Sequence, residues 1–292
     1  MKGIIMAGGS GTRLYPLTSI ISKQLLPVYD KPLIYYPLTT LMSMGIRDIL
    51  IISTPTDTPR FMELLGDGSK FGIHLSYKIQ YDSEGLGQAF LIGEDYLKND
   101  SCVLILGDNI FYGNSLSNYT DIAIENANNG TATIFSYYVS EPQRFGVVEL
   151  DREQNILSME EKPEHPKSNY GITGLYFYDS RVTEMAKKVK PSKRGELEIT
   201  DLNHLYLEES NLKVQILDRD CFWLDTGTMD SLLEASNFVK NIQKRQKTII
   251  SAPEETAFRK HWISREQLLT SANLYGKSPY GEYLRKAAES ET

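Results

Sequence analysis

Short apolar runs alternate with longer amphipathic stretches through the first half of the chain. Residues 2–7 form one run that ends in glycines; Asp48–Ser53 and Cys102–Leu106 are two more, and residues 131–139 a longer one. Runs apolar at successive positions suit strands covered on both faces. The stretches between them, such as residues 34–44 and 87–97, read as helical crossovers, so the pattern predicts a parallel sheet with helices on its faces. After about residue 140 the texture changes. Residues 145–150, 156–161 and 171–178 read as strands joined by turns, more meander than crossover. Residues 223–228 lead into a helix in which Leu232, Leu233, Ala235, Phe238, Val239 and Ile242 recur at helical spacing, with Thr228 as its N-cap. The last forty or so residues predict helical pieces and a charged tail. There are no internal repeats and no low-complexity linker, so one domain with a small C-terminal appendage is the simplest account.

The 292 residues carry 31 Lys and Arg against 38 Asp and Glu, a formal charge of −7. That balance argues against wrapping nucleic acid, which needs clustered cations, but leaves room for a local basic pocket. Apolar residues at 41% and charged residues at 24% are ordinary for a globular chain and exclude a disordered one. No apolar run approaches the ~18 residues of a membrane span, and the apolar stretch at the N-terminus is too brief for a signal segment. Cys102 and Cys221 stand far apart with no CxxC, which predicts buried, reduced thiols in a cytoplasmic protein. His74, His165, His204 and His261 are scattered and offer no zinc spacing.

The glycine-rich segment Gly8-Gly9-Ser10-Gly11-Thr12-Arg13 follows the first strand, where doubly wound sheets bind ligands. It is not a Walker A loop, because Gly9 stands where lysine is required, nor a dinucleotide fingerprint, because Leu14 takes the third glycine position. Taken alone it reads either as a tight turn or as an anion cradle ahead of a helix N-terminus. Arg13 and Lys23, two cations just beyond it, favour the cradle and a triphosphate. Asp108 follows an apolar strand and so sits at a strand's C-terminal end, either as a turn residue or facing a ligand. Asp225 reads as a helix cap or as a second acidic ligand. Gln80 offers a donor and an acceptor together, which suits thymine or uracil and also adenine. Arg194 lies in a polar loop, as a surface residue or a mobile phosphate clamp. The tyrosine-rich stretches at 35–36, 137–138 and 176–178 read as core and interface packing rather than a base-stacking platform, and the basic run 240–247 as the solvated face of a helix.

Together, Gly8-Gly-Ser-Gly-Thr-Arg-Leu14, Lys23 and Pro27 resemble the signature of the sugar-1-phosphate nucleotidylyltransferases. Residues 29–37, Leu106-Gly-Asp-Asn-Ile-Phe-Tyr-Gly113, Glu160-Glu-Lys-Pro163, residues 194–201 and Trp223-Leu-Asp-Thr-Gly-Thr228 look like the thymidylyl-transferring branch of that family, and the resemblance runs from Met1 to about Ile263. It implies a three-layer α/β/α Rossmann-like fold with a largely parallel central sheet and a small sugar-binding β region. The nucleotidylyltransferase domain would span residues 1–250, with a nucleotide half to about 140 and a sugar half from about 141, and residues 251–292 would form a helical appendage. The implied substrates are dTTP and glucose 1-phosphate, in the opening step toward dTDP-rhamnose and related deoxysugars.

By the same resemblance Asp108 and Asp225 hold Mg²⁺, while Arg13 and Lys23 grip the triphosphate. Gly8, Gly9, Ser10, Gly11, Thr12, Gln80 and Gly85 complete the nucleotide site. Lys162 and Arg194 meet the sugar phosphate, and Gly146, Glu161, Ile172 and Trp223 shape the sugar pocket. Two positions depart from the family pattern: Phe145 stands where tyrosine is usual and Gly87 where alanine is. A homotetramer inhibited by dTDP-rhamnose, at a second site involving Glu255 and Arg259, is also implied. Because the attacking sugar phosphate is already ionised, such a reaction needs positioning and charge neutralisation rather than a triad. Uridylyl or adenylyl transfer within the same family stays open. So does a non-catalytic sugar-nucleotide sensor, although such a sensor would be expected to lack the acidic pair or Arg13.

Overall fold

The structure, a computed structural model, describes residues 1–9 and 11–290. Its strands in chain order are β1 (Lys2–Met6), β2 (Pro27–Val28), β3 (Lys31–Pro32), β4 (Asp48–Ser53), β5 (His74–Ile79), β6 (Cys102–Leu106), β7 (Asn109–Tyr112), β8 (Ala132–Tyr138), β9 (Gly146–Leu150), β10 (Ile156–Glu161), β11 (Tyr170–Tyr178), β12 (Leu212–Ile216) and β13 (Phe222–Asp225). Nine of them make one sheet, ordered β10-β9-β11-β6-β1-β4-β5, with β8 paired to β11 and β12. Strands β5, β4, β1 and β6 pair in parallel, as do β8 and β12. Strand β11 runs against β6, β8 and β9, and β10 runs against β9. Seven of the nine strands therefore point the same way, which is the mostly parallel sheet expected. The meander after residue 140 is the β9–β10–β11 end of that sheet.

Strand alternation sends side chains to both faces. Ile5, Ile49, Ile51, Val103 and Ile105 pack on one side, and Ile4, Leu50, Ile52, Leu104 and Tyr176 on the other. The helices are α1 (Tyr35–Ser43), α2 (Thr58–Leu65), α3 (Gln88–Ile92), α4 (Glu94–Leu97), α5 (Leu116–Asn128), α6 (Val182–Ala186), α7 (Ile199–Glu208), α8 (Met229–Gln246), α9 (Pro253–Arg259), α10 (Arg265–Leu274) and α11 (Pro279–Glu289). Residues of α1, α2, α5 and α9–α11 join the first cluster, and residues of α3, α6 and α7 the second, giving three α/β/α layers. Phe258, Leu268 and Leu284 of the C-terminal helices belong to the same cluster as Ile5 and Ile51. Among the described residues no helix is long and apolar enough to cross a membrane.

Two local expectations change. Residues 87–97 form α3 and α4 rather than one helix, broken at Gly93, which caps both; glycine is the weakest interior helix former after proline. In α8 Leu232, Ala235 and Val239 are buried as the spacing requires, but Leu233 is 62% exposed and lies off the apolar stripe. Thr228 does cap α8, its Oγ1 accepting from the Ser231 amide at 3.2 Å. Both cysteines are buried.

Candidate active site

Strand β1 delivers the chain to a glycine turn in which Gly9 (φ 99°) and Gly11 (φ 58°) adopt the left-handed region that side chains disfavour. A single 3₁₀ turn, Thr12–Leu14, follows, not the helix expected there. The reason is Pro16, which forces Tyr15 into extended backbone (ψ 140°) and stops any helix. An anion at this turn would therefore meet backbone amides and side-chain cations rather than a helix dipole. Ser10 lies outside the described residues. Gly8, Gly9, Gly11, Thr12, Arg13, Lys23 and Asp108 converge on one cavity of about 210 Å³.

Asp108 follows β6, and Asp225 ends β13. The antiparallel β7–β13 ribbon sets Asp225 opposite Asn109, and Thr226 Oγ1 donates to the Asp108 carbonyl at 2.8 Å. A ladder register, not sequence proximity, therefore brings the two acids together, and Asp225 is not a helix cap, a role held by Thr228. Lys23 Nζ donates to Asp108 Oδ2 at 2.6 Å and Asn109 Nδ2 to Asp108 Oδ1 at 2.7 Å. Burial pushes the Asp108 carboxyl up, but the Lys23 charge and hydrogen bond, then Asn109, outweigh it and hold the group below the usual carboxylate range. Asp225 is shifted the opposite way, by burial first and then by the charge of Asp108, against Lys23, Arg144 and Arg13. Arg144 Nη2 donates to Asp225 Oδ2 at 3.1 Å. A Cβ on Gly227 would stand 2.7 Å from Asp225 Oδ2 and 3.2 Å from Arg13 Nη2, so only glycine leaves both their places.

Gln80, 4% exposed, lies behind the glycine turn, where a Cβ on Gly8 would come within 2.7 Å of its Oε1. Gly85 (φ 95°) is held against the Leu197 backbone, whose carbonyl oxygen would be 2.6 Å from a Cβ there. Gly87 packs on the same carbonyl, 2.9 Å from an added Cβ, so an alanine here would crowd it.

The residues expected at the sugar gather under the β9–β10–β11 end. A Cβ on Gly146 would meet Glu161 Oε2 at 3.2 Å, Thr200 Oγ1 at 3.3 Å and Ile172 Cδ1 at 3.5 Å. Thr200 donates to Glu161 at 2.6 Å. Lys162, itself at φ 44°, reaches within 3.6 Å of Glu161. Arg194 is held by Glu198 at 2.8 Å and stands 3.8 Å from Glu161. Phe145 packs edge-on against Trp223, with ring centroids 5.0 Å apart. Trp223 Nε1 donates to Asn109 Oδ1 at 2.5 Å, so Asn109 bridges Trp223 to Asp108. Glu255 and Arg259 pair on α9 at 2.7 Å, outside both groups.

Sequence reasoning missed Asn109, Arg144, Thr200 and Gln88. Asn109 sits inside the quoted Leu-Gly-Asp-Asn run and Thr200 inside residues 194–201, so a signal was present for both; Arg144 and Gln88 depend on partners brought in by the fold.

A glycine turn, two cations and two carboxylates at the C-terminal edge of a parallel sheet define a protein that handles phosphate groups of a nucleotide. Residues 2–242 match the family described as nucleotidyl transferase, and the chain belongs to that family. It is 56% identical to the glucose-1-phosphate thymidylyltransferase of Neisseria gonorrhoeae over 97% of this chain and 98% of that one. It is 54% identical to the enzyme of the same name from Mycolicibacterium smegmatis, with all of both chains covered. Among solved structures, a Bacillus anthracis protein described as a glucose-1-phosphate thymidylyltransferase and crystallised with sucrose aligns with a TM-score of 0.76 at 41% identity, covering 82% of this chain and 94% of that one. A UDP-glucose pyrophosphorylase holding UDP-glucose aligns with a TM-score of 0.71 at 26% identity, covering 82% and 98%.

Proposed function

We propose that this chain transfers a deoxythymidylyl group from dTTP to α-D-glucose 1-phosphate, giving dTDP-glucose and pyrophosphate. The observation that carries the reading is the pairing of Asp108 and Asp225 beside Lys23 and Arg13 at the mouth of the glycine turn, in a chain more than half identical over its length to enzymes named for that reaction. An oxygen of the sugar phosphate bonds to the α-phosphorus as the bond to the β-phosphate oxygen breaks, and pyrophosphate leaves. Backbone amides of Gly8, Gly9 and Gly11 would cradle the triphosphate, Arg13 and Lys23 would neutralise the departing pyrophosphate, and Lys162 and Arg194 would hold the attacking phosphate in line. Gln80 and Gly85 would take the base, and Phe145, Gly146, Glu161, Ile172 and Trp223 the hexose.

The donor set suits Mg²⁺: two carboxylates, Asp108 and Asp225, face each other at the mouth of the glycine turn, and Mg²⁺ is a hard cation that takes oxygen ligands and needs few from the protein. Bound there, Mg²⁺ supplies charge neutralisation for the phosphates. We extend the reading to a cytoplasmic homotetramer inhibited by dTDP-rhamnose, at the opening step of deoxysugar synthesis. A cavity of about 390 Å³ between α1, β7 and α9, bordered by Thr256 next to Glu255, supports a second ligand site. The test is pyrophosphate release from glucose 1-phosphate with Mg²⁺ and each of dTTP, UTP, ATP, CTP and GTP. Release chiefly with dTTP is expected; release chiefly with another nucleotide overturns the base assignment, and no release with any overturns the activity.

A further inference from the structure

Behind the glycine turn three polar side chains form a directional chain. Gln80 Nε2 donates to Gln88 Oε1 at 2.6 Å, and Gln88 Nε2 donates to Glu84 Oε2 at 2.8 Å. The chain ends on a carboxylate, which accepts hydrogen bonds and donates none when ionised. Glu84 therefore dictates that Gln88 turns its amide nitrogen outward and its carbonyl toward Gln80. Gln88 in turn dictates that Gln80 offers its nitrogen to the relay and leaves its carbonyl on the opposite side. That carbonyl occupies the space which a Gly8 Cβ would fill, at 2.7 Å. Gln80 is 4% exposed, and among the described residues no group donates to its Oε1. That oxygen is not one of the fully buried atoms without a partner, so it stays open on that side, where a donor on a ligand can reach it.

We propose that Glu84 and Gln88 are specificity-determining residues, which lock the Gln80 amide so that an acceptor faces the base and the site selects a pyrimidine whose N3 carries a hydrogen. Thymine and uracil present that N3–H as a donor. Cytosine presents a bare N3 acceptor at the same ring position, which would face the Gln80 carbonyl lone pair to lone pair. The relay discriminates imide bases from cytosine and does not separate thymine from uracil. Gly8 belongs to the same device, since any side chain there would displace the carbonyl that does the reading.

The inference rests on Gln80 as the base contact, so the test separates the two. Steady-state kcat/KM is measured for dTTP and dCTP with saturating glucose 1-phosphate in wild type, Glu84→Gln, the double variant Glu84→Gln/Gln88→Glu, and Gln80→Leu. Glutamine at 84 either donates or accepts, so the relay loses its polarity, and the dTTP preference over dCTP should fall about tenfold. Moving the carboxylate to position 88 puts an obligate acceptor directly against Gln80 Nε2 and should restore the preference. A general disturbance of the loop would slow both nucleotides by one factor and would not be rescued by a second substitution. An unchanged preference in Glu84→Gln, or no rescue in the double variant, overturns the relay. An unchanged preference in Gln80→Leu overturns the base contact itself and the relay with it.

Discussion

Lys23 Nζ lies 2.6 Å from Asp108 Oδ2, with the lysine side chain 8% exposed and the aspartate 23%. A cation of the chain thus sits on a carboxylate that we assign to the metal. Replacing Lys23 with Met removes that partner and a contact to the departing phosphates. Turnover should fall about 10²–10³-fold, the scale for losing one preorganised electrostatic contact. Stability near neutral pH should fall by about 2 kcal/mol, as for a hydrogen bond to a charged group. Because the folded Asp108 carboxyl lies below its ordinary range, its contribution is present above the unfolded pKa and lost as pH falls through the depressed value. The wild-type and Lys23→Met melting temperatures should therefore converge in acid, which thermal melts across pH will check.

Arg144 does for Asp225 what Lys23 does for Asp108, at 3.1 Å. Asp225 is faced by Asp108, Lys23, Arg144 and Arg13, and its carboxyl is already raised, by burial and then by Asp108. Arg144→Gln removes one of the charges holding it down, so the carboxyl should rise further. A proton and a divalent cation compete for this group. The apparent Mn²⁺ dissociation constant, measured by titration without nucleotide, should therefore begin to climb at a higher pH in the variant than in wild type as acid is added. A raised carboxyl contributes stability that is present at low pH and lost as pH rises through the raised value, so the metal-free variant should lose more stability than wild type across that window.

Strands β4 and β6 were legible to the residue because both lie inside the sheet and are apolar at every central position. Strand β5 carries one buried residue, Leu75, and sits at the sheet edge, so its sequence gives no comparable run and it went unread. The glycine turn was legible, but the helix inferred beyond it was not formed, because Pro16 acts on Tyr15 before a helix can extend. Asp108 could be placed at a strand end from the run before it. Arg144 lay outside every run read as a motif, and Thr200 lay inside residues 194–201 with no role, since each gains its meaning from a partner that only the tertiary fold brings near.

Phe145 packs edge-on to Trp223 at 5.0 Å, beneath the Arg144 guanidinium at 5.4 Å. The resemblance implies tyrosine here, so adding the hydroxyl by Phe145→Tyr should add one hydrogen bond to the hexose we place beside it, worth about 1 kcal/mol. The expected outcome is a KM for glucose 1-phosphate lowered about fivefold with the dTTP KM unchanged. If neither the sugar KM nor the preference among hexose 1-phosphates moves, Phe145 does not border the sugar.

Thr200 Oγ1 donates to Glu161 Oε2 at 2.6 Å from the first turn of α7, and both atoms crowd the place of a Gly146 Cβ. The hydroxyl orients the carboxylate that we assign to the sugar hydroxyls, so Thr200 is a positioning residue and touches no reacting atom. Valine has nearly the same shape, and the site is buried, so Thr200→Val should leave the fold intact while freeing Glu161 to turn. Binding of the hexose should weaken by about 1 kcal/mol, a rise of roughly fivefold in the glucose 1-phosphate KM. Turnover at saturating sugar should stay within about twofold, because the in-line geometry is held at the phosphates rather than at the ring. Thr200→Ser keeps the donor and should recover the wild-type KM; the same defect in both variants would mean that packing at this position, not its hydrogen bond, is what matters.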